Sequence, residues 1–113
     1  MKDDNVYLKH ISEALEKIDS YLKDISYEAF STNDLVNDAV IRELEIVGEA
    51  AAKISAEYRK KHPEVPWNQM AGMRNKLIHE YFGIDKKIVW ETCQTDLKAL
   101  SLNLKPLLNP NLE

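Results

Sequence analysis

The chain has 113 residues, 44% of them apolar, with only three glycines and four prolines. That composition excludes a disordered, collagen-like or turn-dominated chain and fits one globular domain over residues 1–113, small enough for pairing to help bury its apolar surface. The net charge of −4 argues against indiscriminate nucleic-acid binding.

Leu8, Ile11, Leu15, Ile18, Leu22 and Ile25 alternate steps of three and four residues, which predicts a first helix with one apolar seam. Tyr7, Ala14 and Tyr21 widen the seam, and Glu13, Glu16, Lys17 and Asp24 mark its wet side. Residues 26–33 are expected to connect, with Phe30 plugging one end of the core and Asn33 or Asp34 capping the next helix. That second helix is predicted from about residue 35 to about residue 61, with Val36, Val40, Leu44, Val47, Ala51, Ile54 and Tyr58 as its stripe and Pro63 setting its end. Gly48 in its middle costs about 1 kcal/mol against alanine, so another helix is expected to approach closely there. Pro66 suits a first helical position before Trp67. Met70, Met73, Leu77, Ile78, Tyr81 and Phe82 continue that pattern to Gly83, with Gly72 a candidate kink or break. Ile84 and Val89 can staple the last helix around an Asp85 cap; it carries Trp90, Cys93, Leu97, Leu100 and Leu104, and Pro106 is expected to end it. No strand alternation appears. The fold class expected is all-α, an up-and-down bundle of four to five helices.

Other features narrow the setting. Lys2, Asp3, Asp4 and Asn5 lack the apolar core of a signal peptide and no stretch has the length of a membrane span, so a cytoplasmic location with no membrane partner is expected. Cys93 is the single cysteine and cannot form an internal disulfide; within the Val89/Leu97 stripe it reads as buried and inert. His10, His62 and His79 are too scattered to frame a metal site, so no metal or cofactor is expected. Residues 1–50 hold 5 Lys/Arg against 12 Asp/Glu, a net of −7, whereas residues 51–113 hold 10 against 7, a net of +3. Arg59, Lys60 and Lys61 crowd one helix end, where they either complement its dipole or begin a basic cluster with Arg74, Lys76, Lys86 and Lys87. Trp67 and Trp90 read as packing anchors, and Glu45 and Glu49, one turn apart, as solvated or salt-bridged unless they reach a cleft.

The densest chemistry lies in Arg74-Asn75-Lys76-Leu77-Ile78-His79-Glu80-Tyr81. On an ideal helix Asn75 and His79 share a face, while Arg74 lies about 140° from His79 and nearly eclipses Tyr81. One straight helix therefore cannot aim Arg74, His79 and Tyr81 at one small target. Either Gly72 breaks the helix and Arg74 swings round, or two copies of the motif meet across a two-fold axis. The residue types suit RNA cleavage, in which a base takes the 2′-hydroxyl proton, an acid protonates the leaving oxygen and a cation steadies the transition state. His79 has a suitable pKa for either proton role, Arg74 offers a forked cation to phosphate, and Asn75 and Lys76 could support the substrate. One histidine per chain cannot readily fill both proton roles, which favours a pair. The plain alternatives are a surface histidine, a salt-bridged arginine, a capping asparagine and a core tyrosine with a hydrogen-bonded tip.

The spacing of Arg74, His79 and Tyr81 resembles the signature of the HEPN superfamily, and the match to its HepT-like toxins is wider than the motif. Asp38 to Ala50 is similar to that family's second helix, His62-Pro63-Glu64-Val65-Pro66-Trp67 to its next connection, and Ala71 to Asn75, His79 to Asp85 and Val89-Trp90 come in the family's order. The resemblance implies a homodimeric, metal-independent RNA endonuclease toxin with Arg74 and His79 as catalytic residues. It also implies an MntA-like minimal nucleotidyltransferase antitoxin that transfers AMP onto Tyr81, and products ending in a 2′,3′-cyclic phosphate or 3′-phosphate. The alternative reading is a noncatalytic nucleotide- or substrate-binding subunit of a nucleotidyltransferase complex, or a purely structural helical module.

Overall fold

The computed structural model describes residues 4–79 and 86–108, and for residues 74–79 the helical backbone alone. The described residues form an all-α bundle. Its long helices are α1 (Asp4–Leu22), α3 (Asp34–Lys53) and α5 (Trp67–His79), with short helices α2 (Tyr27–Ser31) and α4 (Ala56–Lys61) between them. The final rod is α6 (Lys86–Glu91), a π-helical segment at Thr92–Asp96, and α7 (Leu97–Leu108).

Contacts at the helix ends set the topology. Asp4 at the start of α1 bonds Ser55 just past the end of α3, so α1 and α3 run antiparallel. The Trp67 ring meets Tyr58 at 6.0 Å, which puts the start of α5 beside the end of α3 and sends α5 back along it. Asn103 Nδ2 donates to the Glu64 carbonyl at 3.3 Å, so α7 ends where α5 begins. This is the up-and-down arrangement expected from the apolar periodicity, with α3 packed on both α1 and α5 and α7 on α1.

The first seam is buried as expected: Leu8, Ile11, Ala14, Leu15 and Ile18 are core, with Leu22 and Ile25 half-buried. The helix stops at Leu22 because Asp24 takes a left-handed φ of 58°, a conformation that Asp tolerates better than most residues. The 26–33 connection is more regular than expected. Ser26 accepts from Ala29 N at 3.1 Å and caps α2, whose Phe30 is fully buried against Trp90 at 5.3 Å. Asn33 is the cap of α3, its side chain accepting from Val36 N. Gly48 lies on the buried face of α3.

The expected helix from 35 to 61 is two helices. Ile54 adopts extended backbone, and Ser55 caps α4 by accepting from Tyr58 N at 3.2 Å. The cause is tertiary: the Asp4 carboxylate accepts from both Ser55 N (2.8 Å) and Ser55 Oγ (2.7 Å), offering the backbone a partner that a continuous helix would forgo. Arg59 Nη2 then donates to the Ala51 carbonyl at 2.8 Å, closing the end of α3 from outside its own helix. Arg59 thus serves a helix end, as one of the two readings of the run had it, while Lys60 and Lys61 are exposed in the last turn of α4. Pro66 sits one residue outside α5, its carbonyl accepting from Met70 N at 3.0 Å.

Two further departures lie in the last rod. Val89, Cys93 and Leu97 are all buried at successive steps of four, which on a pure α-helix would drift about 80°. The underwound π turn absorbs that drift, and Thr95 Oγ1 donates to the Glu91 carbonyl at 2.7 Å inside it. Pro106 does not end α7, which runs to Leu108. The carbonyl it deprives of a partner belongs to Leu102, on the exposed face of the helix, where water can take it. The Ile84/Asp85 staple, Phe82 and the Gly83 stop lie outside the described residues.

Candidate functional site on the fifth helix

The first half of α5 is firmly seated. Trp67 and Met70 are buried, Met73 is half-buried, and the Trp67 indole donates to the His62 carbonyl at 2.9 Å. Tyr58 stacks between Trp67 and His62, and its hydroxyl pKa is raised by burial and by the carboxylates of Asp4 and Glu64. Both tryptophans are packing residues: Trp67 is buried here, and half-buried Trp90 meets Phe30 and Tyr27.

Arg74 through His79 continue the same helix. Their side chains, and Glu80 and Tyr81 entirely, lie outside the described residues, so the motif is located by its backbone. α5 passes through Gly72 unbroken. The remedy that relied on a break there to swing Arg74 towards His79 has no support in the backbone, and the angular separation of about 140° between those positions stands.

The end of α5 shares one end of the bundle with the start of α3 and the start of α6. Lys86 fixes that corner, its ammonium donating to the Ser31 carbonyl at 2.9 Å and lying 3.7 Å from Asp34. Of the basic residues flanking the motif, Lys86 is thereby engaged in structure. Beside it an open cleft of ≈ 440 Å³ is lined by Asp34, Asp38, Arg42, Glu45 and Lys86 with Asn37 and Ile41, more acidic than basic. Glu45 pairs with Arg42 at 3.9 Å and Glu49 with Lys53 at 3.9 Å, as the salt-bridged reading expected. A second groove, ≈ 370 Å³, runs between α5 and α7 past Gly72 and Met73.

Sequence reasoning passed over two buried polar residues of α3, Asn37 and Glu43. Glu43 occupies the seam between Val40 and Val47, and that interruption of an apolar stripe was its only signal. Asn37 donates to the carbonyls of Phe30 (2.6 Å) and Asn33 (3.0 Å), tying α2 to α3. Cys93 is buried, and burial pushes its thiol up to about 12, with Asp19 adding to the shift. It is a packing group with no accessible thiolate near neutral pH.

A family model described as Ribonuclease HepT-like matches residues 11–107, a span that holds both the bundle and the motif. The chain belongs to this family. A protein named "Putative RNase" from Caldanaerobacter subterraneus subsp. tengcongensis is 43% identical over 96% of each chain. "Probable ribonuclease HepT" from Thermococcus cleftensis is 45% identical over 83% of this chain and 86% of its own. A further "Putative RNase" from Methanocaldococcus jannaschii is 43% identical over 88% and 91%. No solved structure matches. The fold of this HepT-like chain is the helical HEPN-like one that the motif's family led us to expect. Among the described residues no helix is long and apolar enough to cross a membrane.

Proposed function

We propose that this HepT-like chain is a metal-independent RNA endonuclease acting as the toxin of a toxin–antitoxin system. The observation that carries the reading is the Arg74-to-Tyr81 sequence motif, whose positions 74 to 79 lie on the last turns of α5, in a chain whose relatives are named as ribonucleases. In the proposed reaction a neutral His79 takes the proton from a ribose 2′-hydroxyl, and the oxygen attacks the adjacent phosphorus. The P–O5′ bond breaks, and a protonated His79 from a second copy gives its proton to the leaving 5′-oxygen. Arg74 neutralises the phosphorane oxygens through its forked guanidinium, with Asn75 and Lys76 supporting substrate and ring orientation. Because RNA supplies its own nucleophile, two proton transfers and one cation suffice. The product is a 2′,3′-cyclic phosphate.

A homodimer is part of the proposal, since two histidines are needed and each chain brings one to the motif. Tyr81 is the proposed target of AMP transfer by an MntA-like minimal nucleotidyltransferase. An adenylyl phosphate beside Arg74 would occupy the substrate's phosphate position and repel RNA. The chain's acidity, pI ≈ 5.4, favours one competing reading, a noncatalytic nucleotide-binding subunit of the same complex. The test is cleavage of total cellular RNA by purified protein in EDTA, with intact mass establishing that Tyr81 is unmodified. Wild type should cut, His79→Ala and Arg74→Ala should lose at least a hundredfold while remaining folded, and Tyr81→Phe should resist adenylylation. An unmodified protein that leaves RNA whole would put the noncatalytic reading in its place.

A further inference from the structure

Asn37 stands on the wall of the cleft at the start of α3, almost wholly buried at 4% exposure. Its Nδ2 donates to the carbonyls of Phe30 (2.6 Å) and Asn33 (3.0 Å), which fixes the amide, since an oxygen turned that way would face two others. Oδ1 is left shielded from water and without a hydrogen bond. An acceptor in that state costs free energy, and it points to a donor that arrives from outside the chain. The carboxylate next to it is also free. Asp38 pairs with no described residue, whereas Asp34 lies by Lys86 at 3.7 Å and Glu45 by Arg42 at 3.9 Å.

Among the described residues, the cleft therefore offers two adjoining acceptors, Asn37 Oδ1 and the Asp38 carboxylate, with Ile41 as an apolar wall and two cations, Arg42 and Lys86, on its lining. That mixture selects the ligand. Its three carboxylates repel a phosphodiester, and an incoming lysine or arginine meets the cations already in place. A neutral ring with donors along one edge and acceptors along another suits every group. Among the RNA bases guanine alone presents two adjoining donors, N1–H and the N2 amine, together with the acceptors O6 and N7. Adenine and cytosine place a ring-nitrogen acceptor beside their amine, and uracil flanks its one N–H with two carbonyls.

We infer that this cleft is a guanine subsite that reads an unstacked base of the RNA, an assignment that rests on the ribonuclease reading for its substrate. The Asp38 carboxylate accepts from N1–H and one N2 hydrogen, Asn37 Oδ1 accepts the other, and Arg42 or Lys86 donates to O6 or N7. The Lys86–Asp34 contact, longer than a hydrogen bond and made by two exposed side chains, is the part of the rim that opens to admit the ring. The volume of ≈ 440 Å³ lies within the range of small-ligand sites. α5 finishes at the same end of the bundle, and Lys86 is seven residues beyond position 79, at most about 25 Å of extended chain. One strand can therefore occupy the cleft and the motif together.

Titration of the protein with 3′-GMP, 3′-AMP, 3′-CMP and 3′-UMP reads the cleft without any cleavage. 3′-GMP should bind at least tenfold tighter than the other three. Asp38→Asn, which offers a donor where N1–H needs an acceptor, should lose that margin, and Glu13→Gln, at an exposed carboxylate on α1, should keep it. Asp38 is exposed, so its variant should melt like wild type. Sequencing the ends of RNA cut by wild type should find guanine at one fixed position beside the cut, a preference absent in Asp38→Asn. Equal binding of the four nucleotides, or a guanine preference that survives Asp38→Asn, would overturn the inference, and RNA cleavage in the same protein would leave the ribonuclease reading standing. Tighter binding of an arginine-containing peptide than of 3′-GMP would also overturn it and assign the cleft to a protein partner. An Asp38-dependent preference for 3′-GMP in a protein that leaves RNA whole would uphold the subsite and remove the ribonuclease reading.

Discussion

Removing the Asp4 carboxylate should destabilise the protein, because it holds the break that separates α3 from α4. Asp4→Ala deletes two acceptors, for Ser55 N at 2.8 Å and for Ser55 Oγ at 2.7 Å. A hydrogen bond to a charged group contributes about 1.5–3 kcal/mol. Asp4 and Ser55 are only half-buried, so water recovers part of each bond and a loss of about 2 kcal/mol is expected for the pair. Unfolding entropy scales at about 2.1 cal/mol/K per residue, or about 0.24 kcal/mol/K for a chain of this length, so the melting temperature should fall by about 8 °C. Urea titration followed by circular dichroism measures the free energy directly. Ser55→Ala should cost a similar amount, since it also removes the cap of α4, and the double variant should show about 1 kcal/mol of non-additivity. A change below about 0.5 kcal/mol in Asp4→Ala, or strict additivity, would refute the claim that this contact divides the helix.

Three other single residues carry checkable outcomes. With the Cys93 thiol pushed up to about 12, the folded state favours the protonated form, so stability present at pH 8 should be lost as pH rises from about 9 towards 12. Cys93→Val should flatten that slope relative to wild type in urea titrations across the range. Phe30→Ala should cost about 3–5 kcal/mol, because the ring is fully buried against Trp90 and the space cannot drain to solvent; a cost under 1 kcal/mol would show the plug to be incidental. Lys86→Met should cost less than about 1 kcal/mol, since its Asp34 partner is exposed, so a large loss of RNA cleavage in that variant would mean that Lys86 touches substrate.

Features that depend on local periodicity were legible in the sequence. The α1 seam, the Phe30 plug, the Asn33 cap and the buried Cys93 come from spacing and residue type alone. The break at Ile54 did not, because the apolar stripe of the second predicted helix carries on through Ile54 to Tyr58 while the deciding partner, Asp4, is 51 residues away. The π turn was not legible, because the steps of four from Val89 to Cys93 to Leu97 also occur at Val36, Val40 and Leu44, where α3 stays α-helical. For the motif, sequence supplied residue types and register. The backbone adds that positions 74 to 79 share one unbroken helix, which sharpens the need for a second copy.

Salt dependence offers the sharpest limit on how an acidic chain could hold RNA. Several cations outside the motif are already committed: Arg42 lies by Glu45, Lys53 by Glu49 and Lys86 by Asp34, and Arg59 caps α3. The proposed site draws on Arg74 and Lys76, giving four phosphate contacts for a pair of chains. For single-stranded RNA each contact contributes about −0.7 to the slope of log K against log salt, so the pair should give about −3. Catalytically inactive His79→Ala protein, titrated with labelled RNA at several salt concentrations, measures it. A slope near −3 that falls by about half in Lys76→Ala confines RNA to the α5 end of the bundle. A slope of about −6 or steeper would require a longer track of cations, with exposed Lys60 and Lys61 at the opposite end of the bundle the next to engage, and the site as drawn would then be only a fraction of the RNA-binding surface.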